Sequence, residues 1–304
     1  TSALKVSARA RVAVSRSAVA ATPGVDPERP ARAGELAVQL AELHQVSGAP
    51  RALTEAAATA RAVVEDGDTQ HVVDWRLLEQ LAHLLADLHS LDRDPSTMAA
   101  AVTAGRRAMV SAPDGQQARL QHHQSLLMSR SFGATRQLAD LDEAVRLGQA
   151  ALDATAANDP ERSRRCHDLA ARLLEHHSVV PQLDVLHRAV AASRDALAAA
   201  DACGTSRAWH LNMLANALAR LHADTGSFEA LGEAVEAARS SVDATDPASQ
   251  AMAGRLSKLA ARLTDLHRAT GDPDALEEAV RASRHAVGVT GEDGRDLVRR
   301  VGNL

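Results

Sequence analysis

The nine residues Leu259–His267 read LAARLTDLH, and the phrase also stands as LAVQLAELH at Leu36–His44, LAHLLADLH at Leu81–His89, LAARLLEHH at Leu169–His177 and LANALARLH at Leu214–His222. Its leading leucine recurs at Leu36, Leu81, Leu126, Leu169, Leu214, Leu259 and Leu304, in steps of 45, 45, 43, 45, 45 and 45 residues. A fixed period of this size marks a repeat architecture, in which each unit is one supersecondary element. Within a copy the apolar residues fall at i, i+4 and i+7, as in Leu36, Leu40 and Leu43 or Leu214, Leu218 and Leu221. That spacing puts one apolar stripe on a helix.

A second phrase alternates with the first. ALEEAVRASRHAV (Ala275–Val287) echoes ALGEAVEAARSSV (Ala230–Val242), VLHRAVAASRDAL (Val185–Leu197) and DLDEAVRLGQAAL (Asp140–Leu152), with weaker copies from Ala52 and Thr97. Leu276, Ala279, Val280 and Val287 give it a helical stripe. Its internal arginine forms a column, Arg16, Arg61, Arg106, Arg194, Arg239 and Arg284, with Gln149 in the remaining slot. Helix punctuation separates the phrases. Gly48-Ala49-Pro50, Asp94-Pro95 and Gly271-Asp272-Pro273 precede the second helix, and Asp159-Pro160 and Asp246-Pro247 are read as N-cap and first helical residue of the first. Each unit is therefore helix A, turn, helix B, turn. Neither helix can bury its stripe alone, so successive pairs must stack. The alanine after each leading leucine (Ala37, Ala82, Ala170, Ala215, Ala260) is small where helices approach closely.

These residues resemble the tetratricopeptide repeat (TPR). Leu259-Ala260 with Leu263 matches its helix A pattern, and Ala279 with Ala286, or Ala234 followed by Pro247, approximates helix B. The resemblance implies an all-α, right-handed α-α superhelix that binds a protein or peptide in a concave groove. The period departs from the family's roughly 34 residues, and the family's aromatic positions are absent. The long, alanine-rich variety, with turns such as TGDPDALEEAV, is similar to actinobacterial-type arrays fused to a caspase-like CHAT protease or to signalling modules. The expected organisation is a single solenoid over 1–304. It comprises a lone helix B at 1–21, repeats near 27–66, 70–111, 114–156, 159–201, 204–244 and 247–290, and the start of another helix A at 293–304. The chain opens Thr1-Ser2-Ala3-Leu4 without Met, and neither end carries a polar capping helix, so it is expected to continue on at least one side.

Composition agrees with thin layers of helices. Hydrophobic residues make up 45% of the 304, but aromatic residues only 1%, with no tyrosine. The net charge of −5 is interspersed, which argues against nucleic-acid binding. Cys166 and Cys203 form no CxxC pair, no apolar run suits a membrane span, and the reading is a cytoplasmic protein. No nucleotide-binding, metalloprotease or nucleophile-elbow motif occurs, so neither catalytic residue nor cofactor is expected.

The histidine column (His44, His89, His177, His222, His267) lies in the last turn of each helix A, where an imidazole can bond free carbonyls. Neighbouring repeats stand about 10 Å apart, too far for two of these rings to share a metal. The adjacent pairs His122-His123 and His176-His177 diverge on a helix, and no metal is expected there either. The arginine column (Arg61, Arg106, Arg194, Arg239, Arg284) is read as a ladder of ion pairs between repeats. Groove positions two and six after the leading leucine give the binding candidates Glu42, Asp87, Met128, Phe132, Glu175, Asn216, Arg220 and Asp265. They suggest a mostly acidic cradle for a basic segment, with Met128 and Phe132 as an apolar spot in an irregular third repeat. A second reading makes the chain a helical-repeat enzyme or small-molecule binder with a pocket near that repeat. The partner's identity and the oligomeric state are not written in the residues.

Overall fold

A computed structural model of the chain describes residues 2–66, 73–203 and 206–289. Among these, thirteen α-helices and one short 3-10 turn are present, and no strand. They fall into two compact units, 1–154 and 155–304. The expected helix A at 293–304 lies outside the described residues.

In the first unit α1 (Ser2–Ala21) precedes three pairs: α2 (Arg29–Ser47) with α3 (Pro50–Glu65), α4 (Trp75–Asp92) with α5 (Pro95–Ser111), and α6 (Gln117–Thr135) with α7 (Leu138–Asp153). The second unit holds α8 (Arg162–Val179) with α9 (Leu183–Cys203), α10 (Ala208–Thr225) with α11 (Phe228–Asp243), and α12 (Ala251–Thr270) with α13 (Pro273–Gly288). Within each unit a helix packs on its immediate sequence neighbours, and successive A helices also touch, as α2 does α4 and α8 does α10. This is an all-α stack of antiparallel helix pairs, as the repeat implies.

The core follows the phrase. Leu36, Leu81, Leu169, Leu214 and Leu259 are buried, as are the alanines after them and the leucines four positions on, Leu40, Leu85, Leu173, Leu218 and Leu263. Helix B contributes mainly alanine to the interface; in α13 the buried stripe is Ala275, Ala279, Ala282 and Ala286. Leu276, expected in that stripe, is 41% exposed, whereas its column mates Leu141, Leu186 and Leu231 are buried. Among the described residues no helix follows α13 to cover it.

Helices α2, α4, α6, α10 and α12 end on a left-handed residue whose N–H bonds the carbonyl four residues back. Gly48, Gly226 and Gly271 occupy it at φ 69°, 72° and 74°, the region glycine enters without a Cβ clash. Arg93 and Arg136 adopt φ 57° at the two other sites, at a cost of about 1 kcal/mol each.

That cap corrects the register of the third repeat. Counting back twelve residues from Gly48, Arg93, Gly226 and Gly271 gives the leading leucines, Leu36, Leu81, Leu214 and Leu259; from Arg136 it gives Gln124, not Leu126. Gln124, Ser125, Met128 and Phe132 thus fill the slots held elsewhere by Leu, Ala, Leu and His, and all four are buried. The leucine and arginine columns then agree that the two-residue shortening lies between Arg106 and Gln124, around the α5–α6 connection.

A second correction concerns the turns into helix A. The side chains of Asp159 and Asp246 accept from the N–H groups of Glu161 and Ala248, each at 2.8 Å, and so build a separate turn. The helices start later, at Arg162 and Ala251. Before helix B the proline readings stand: Pro50, Pro95 and Pro273 open α3, α5 and α13, with Asp94 and Asp272 capping the last two through their side chains.

Candidate functional site

The histidine column lies at the ends of the A helices. His44, His89, His177, His222 and His267 each place Nδ1 against the carbonyl oxygen five residues on, that of Ala49, Asp94, Gln182, Ser227 or Asp272, at 3.0, 2.9, 2.9, 2.9 and 2.7 Å. The ring ties the end of helix A to the residue that opens helix B. Phe132 cannot do this. In its repeat the hydroxyls of Ser131 and Thr135 donate instead to Asp140, at 2.7 and 3.0 Å.

The arginine column makes a ladder where the next helix B supplies an acid. Arg16 pairs with Glu55, Arg194 with Glu233 and Arg239 with Glu278, each 39 residues on and at 2.7, 2.6 and 2.5 Å. Arg61 instead reaches Asp94 at 2.7 Å, Arg106 approaches the Met128 sulfur at 4.0 Å, and Gln149 bonds Asp153 on its own helix. The guanidinium of Arg239 holds the Glu278 carboxyl below its ordinary value. Asp94 is lowered too, first by its hydrogen bonds to Ser96 and then by Arg61. Arg284 is exposed on α13.

The helix A row differs from its sequence reading. Met128 and Phe132 are 2% and 3% exposed, so the expected apolar spot is core, not surface. With the register corrected, position six of the third repeat is Arg130. The row then runs Glu42, Asp87, Arg130 in the first unit and Glu175, Arg220, Asp265 in the second. Each member is ion-paired: Glu42 with Arg11 at 3.0 Å, Asp87 with Arg130 at 3.2 Å, and Glu175 with Arg172 at 3.6 Å. Arg220 meets Asp224 at 3.3 Å, and Asp265 meets Arg268 at 3.5 Å and Arg262 at 3.8 Å. This is a strip of paired charge in which four acids stand with two arginines.

Polar contacts also cross between neighbouring A helices. Arg130 on α6 donates to Ser90 Oγ at 3.0 Å and to the Ala86 carbonyl on α4. His177 Nε2 on α8 lies 2.6 Å from Asp224 Oδ2 on α10. Asn216 is half-buried on α10. Between α10 and α12 an open cleft of about 360 Å³ is lined by Ala219, His222, Ala223, Arg262, Asp265 and Arg268.

Sequence reading missed the link from helix B to the next helix A. Arg32 donates to Thr22 Oγ1 at 2.6 Å, Arg165 to Thr155 Oγ1 at 2.5 Å, and Arg255 to Thr245 Oγ1. The signal was present, since Thr22, Thr155 and Thr245 share one repeat column and each arginine stands ten residues later.

The helix pairs, their caps and the cross-repeat bonds define an all-α helical-repeat protein. No protein-family model matches the chain, and no curated protein does. Solved structures do match it. The nuclear import adaptor Nro1 of S. pombe is 14% identical, with 92% of this chain and 96% of that one covered at a TM-score of 0.48. YrrB, a TPR protein with an unusual peptide-binding site, is 16% identical, with 82% and 100% covered at 0.43. The TPR2AB domain of yeast Sti1, in a pHSP90 complex, is 17% identical, with 89% and 98% covered at 0.33. At these identities the likeness concerns only the helical-repeat architecture, which the helix pairs here establish by themselves. No helix among the described residues is long and apolar enough to cross a membrane.

Proposed function

We propose that the chain is a protein-interaction scaffold that takes a peptide or partner segment on its helix A face. The observation that carries this reading is the strip of paired charges on that face: Glu42, Asp87 and Arg130 in one unit, Glu175, Arg220 and Asp265 in the other. Exposed ion pairs contribute only about 0–1 kcal/mol each, so a ligand's own charges can exchange for them at little cost. Acids at Glu42, Asp87, Glu175 and Asp265 favour lysine or arginine in the partner, and the interleaved arginines set where its acids fall. The chain is then a binding or sensing segment of a larger cytoplasmic protein. By resemblance, an effector such as a CHAT-type protease would lie outside these residues. The rival reading, a helical-repeat enzyme or small-molecule binder with a pocket near the third repeat, cannot use Met128 and Phe132 as its apolar lining, because both are buried.

Charge reversal tests the proposal in two halves, Glu42→Arg with Asp87→Arg and Glu175→Arg with Asp265→Arg. Lysate of the source cells is passed over each immobilised form. At least one reversal is expected to lose a partner that the unaltered chain retains, with helical content unchanged. Equal recovery of every partner by both variants would remove the helix A face from the account.

A further inference from the structure

Glu79 and His83 stand one turn apart on α4, and His123 reaches them from α6. His123 Nδ1 lies 2.6 Å from Glu79 Oε1, and the rings of His83 and His123 meet edge to face with centroids 4.9 Å apart. One donor atom from each of the three residues lies within 4.8 Å of the other two. The sequence concealed this meeting. His122 and His123 do diverge along α6, but His123 finds its partners 40 and 44 residues back, on the preceding helix A.

We propose that Glu79, His83 and His123 form a binding site for a divalent transition-metal ion of the zinc class, clasping α4 to α6. Two imidazoles and one carboxylate are a donor set that such ions take, whereas calcium and magnesium require more oxygens. His83 is prepared for ligation: its Nδ1 donates to the backbone carbonyl of Glu79 at 2.9 Å, leaving the Nε2 lone pair free. His123 already points Nδ1 at the Glu79 carboxylate, and the proton of that bond passes to Nε2 when an ion takes Nδ1. Tetrahedral ligand atoms around zinc stand about 3.3 Å apart, so small side-chain rotations bring the three into place. The bond between His123 and Glu79 opens slightly to admit the ion.

One group opposes the ion. Arg119 donates to the same Glu79 oxygen, and its Nε also bonds Gln116 Oε1 at 3.1 Å. A metal would displace the guanidinium from the carboxylate, so Arg119 weakens the site and its removal must strengthen it. Three protein ligands leave a fourth position for water or an outside group. His83 is exposed at position two of helix A, so that position opens on the surface. The site stands whether or not the helix A face also binds a polypeptide.

Calorimetric titration of the 304-residue chain with zinc, cobalt and magnesium tests the assignment. One zinc per chain is expected, with visible cobalt bands of tetrahedral coordination and no magnesium binding. His83→Ala, at an exposed position, and His123→Ala should each weaken zinc by at least about tenfold, the lower bound for losing even an outer-shell partner. Arg119→Gln should tighten it. Circular dichroism reports whether His123→Ala still folds; if it does not, His83→Ala alone decides. No zinc uptake at millimolar concentration, magnesium binding as strong as zinc, or an affinity unchanged by His83→Ala would each overturn the proposal.

Discussion

Gly105→Ala is expected to destabilise the first unit by about 3 kcal/mol, although the substitution places a better helix former inside a helix. At an open helical position the same change stabilises by about 1 kcal/mol. Gly105 is not open. A Cβ there would stand 2.0 Å from Gln124 Oε1 and 3.0 Å from Leu127 Cδ1. Gln124 is 1% exposed, and its Nε2 donates to the Val102 carbonyl at 3.2 Å. Relieving the clash forces the carboxamide off that carbonyl inside the core. Overpacking costs about 1–3 kcal/mol and a stranded buried polar group about the same again, which together outweigh the gain in propensity. Gly232→Ala and Gly254→Ala are the controls. Nothing lies within 4 Å of a Cβ at either, and each should stabilise by about 0.5–1 kcal/mol. Urea denaturation measures all three. A Gly105→Ala protein as stable as the two controls would contradict the packing described for α5 against α6.

The second unit is expected to lose stability in mild acid, and His167 should account for much of the loss. His167 is 3% exposed on α8, stacks on Trp209 of α10 with ring centroids 3.3 Å apart, and leaves its Nδ1 unpartnered. Burial lowers its pKa to about 4; His210 and Arg172 push the same way, and Asp168 opposes them. His210, which lies 2.9 Å from Ser163 Oγ through Nε2, is lowered by burial as well. The direction follows from the depressed folded-state value. The unfolded chain takes up the proton near pH 6.5 and the folded chain only near 4, so stability is complete above about 6.5 and falls through that window. For His167 alone the loss approaches about 3 kcal/mol at the acid end. His167→Leu keeps most of the ring's volume and removes the titration. It should change stability by less than about 1.5 kcal/mol near pH 7.5. From pH 7.5 to pH 5 its stability relative to the unaltered protein should rise by about 2 kcal/mol. Parallel stability profiles for the two proteins between those conditions would contradict the reading.

How far the sequence revealed these features depends on whether the interaction repeats. The leucine stripe, the alanines beside it, the histidine ties and the arginine ladder recur every 45 residues, so each could be checked against its own copies. The third repeat has no such support. Its leucine slot holds Gln124, while Leu126 and Leu127 beside it offer a false register, and its C-cap is Arg136 where three other repeats carry glycine. That slip moved Met128 and Phe132 from the core to the surface and hid Arg130, the residue that pairs with Asp87. Contacts made once between distant positions, such as His167 on Trp209 or His123 on Glu79, leave no periodic trace. The acids of the helix A row were legible, and so were the partners of Glu175 and Asp265, three residues away on the same helix; those of Glu42 and Asp87 emerge only when helices are placed side by side.

Helix A, and not helix B, is proposed to present the binding face. Photo-crosslinking tests it most directly, with a photoreactive residue placed in turn at Glu42, Asp87, Glu175 and Asp265 on the A helices and at Glu143 and Glu236 on the B helices. The account predicts adducts with a partner polypeptide from the A positions and none from the B positions. Adducts confined to the B positions would contradict it.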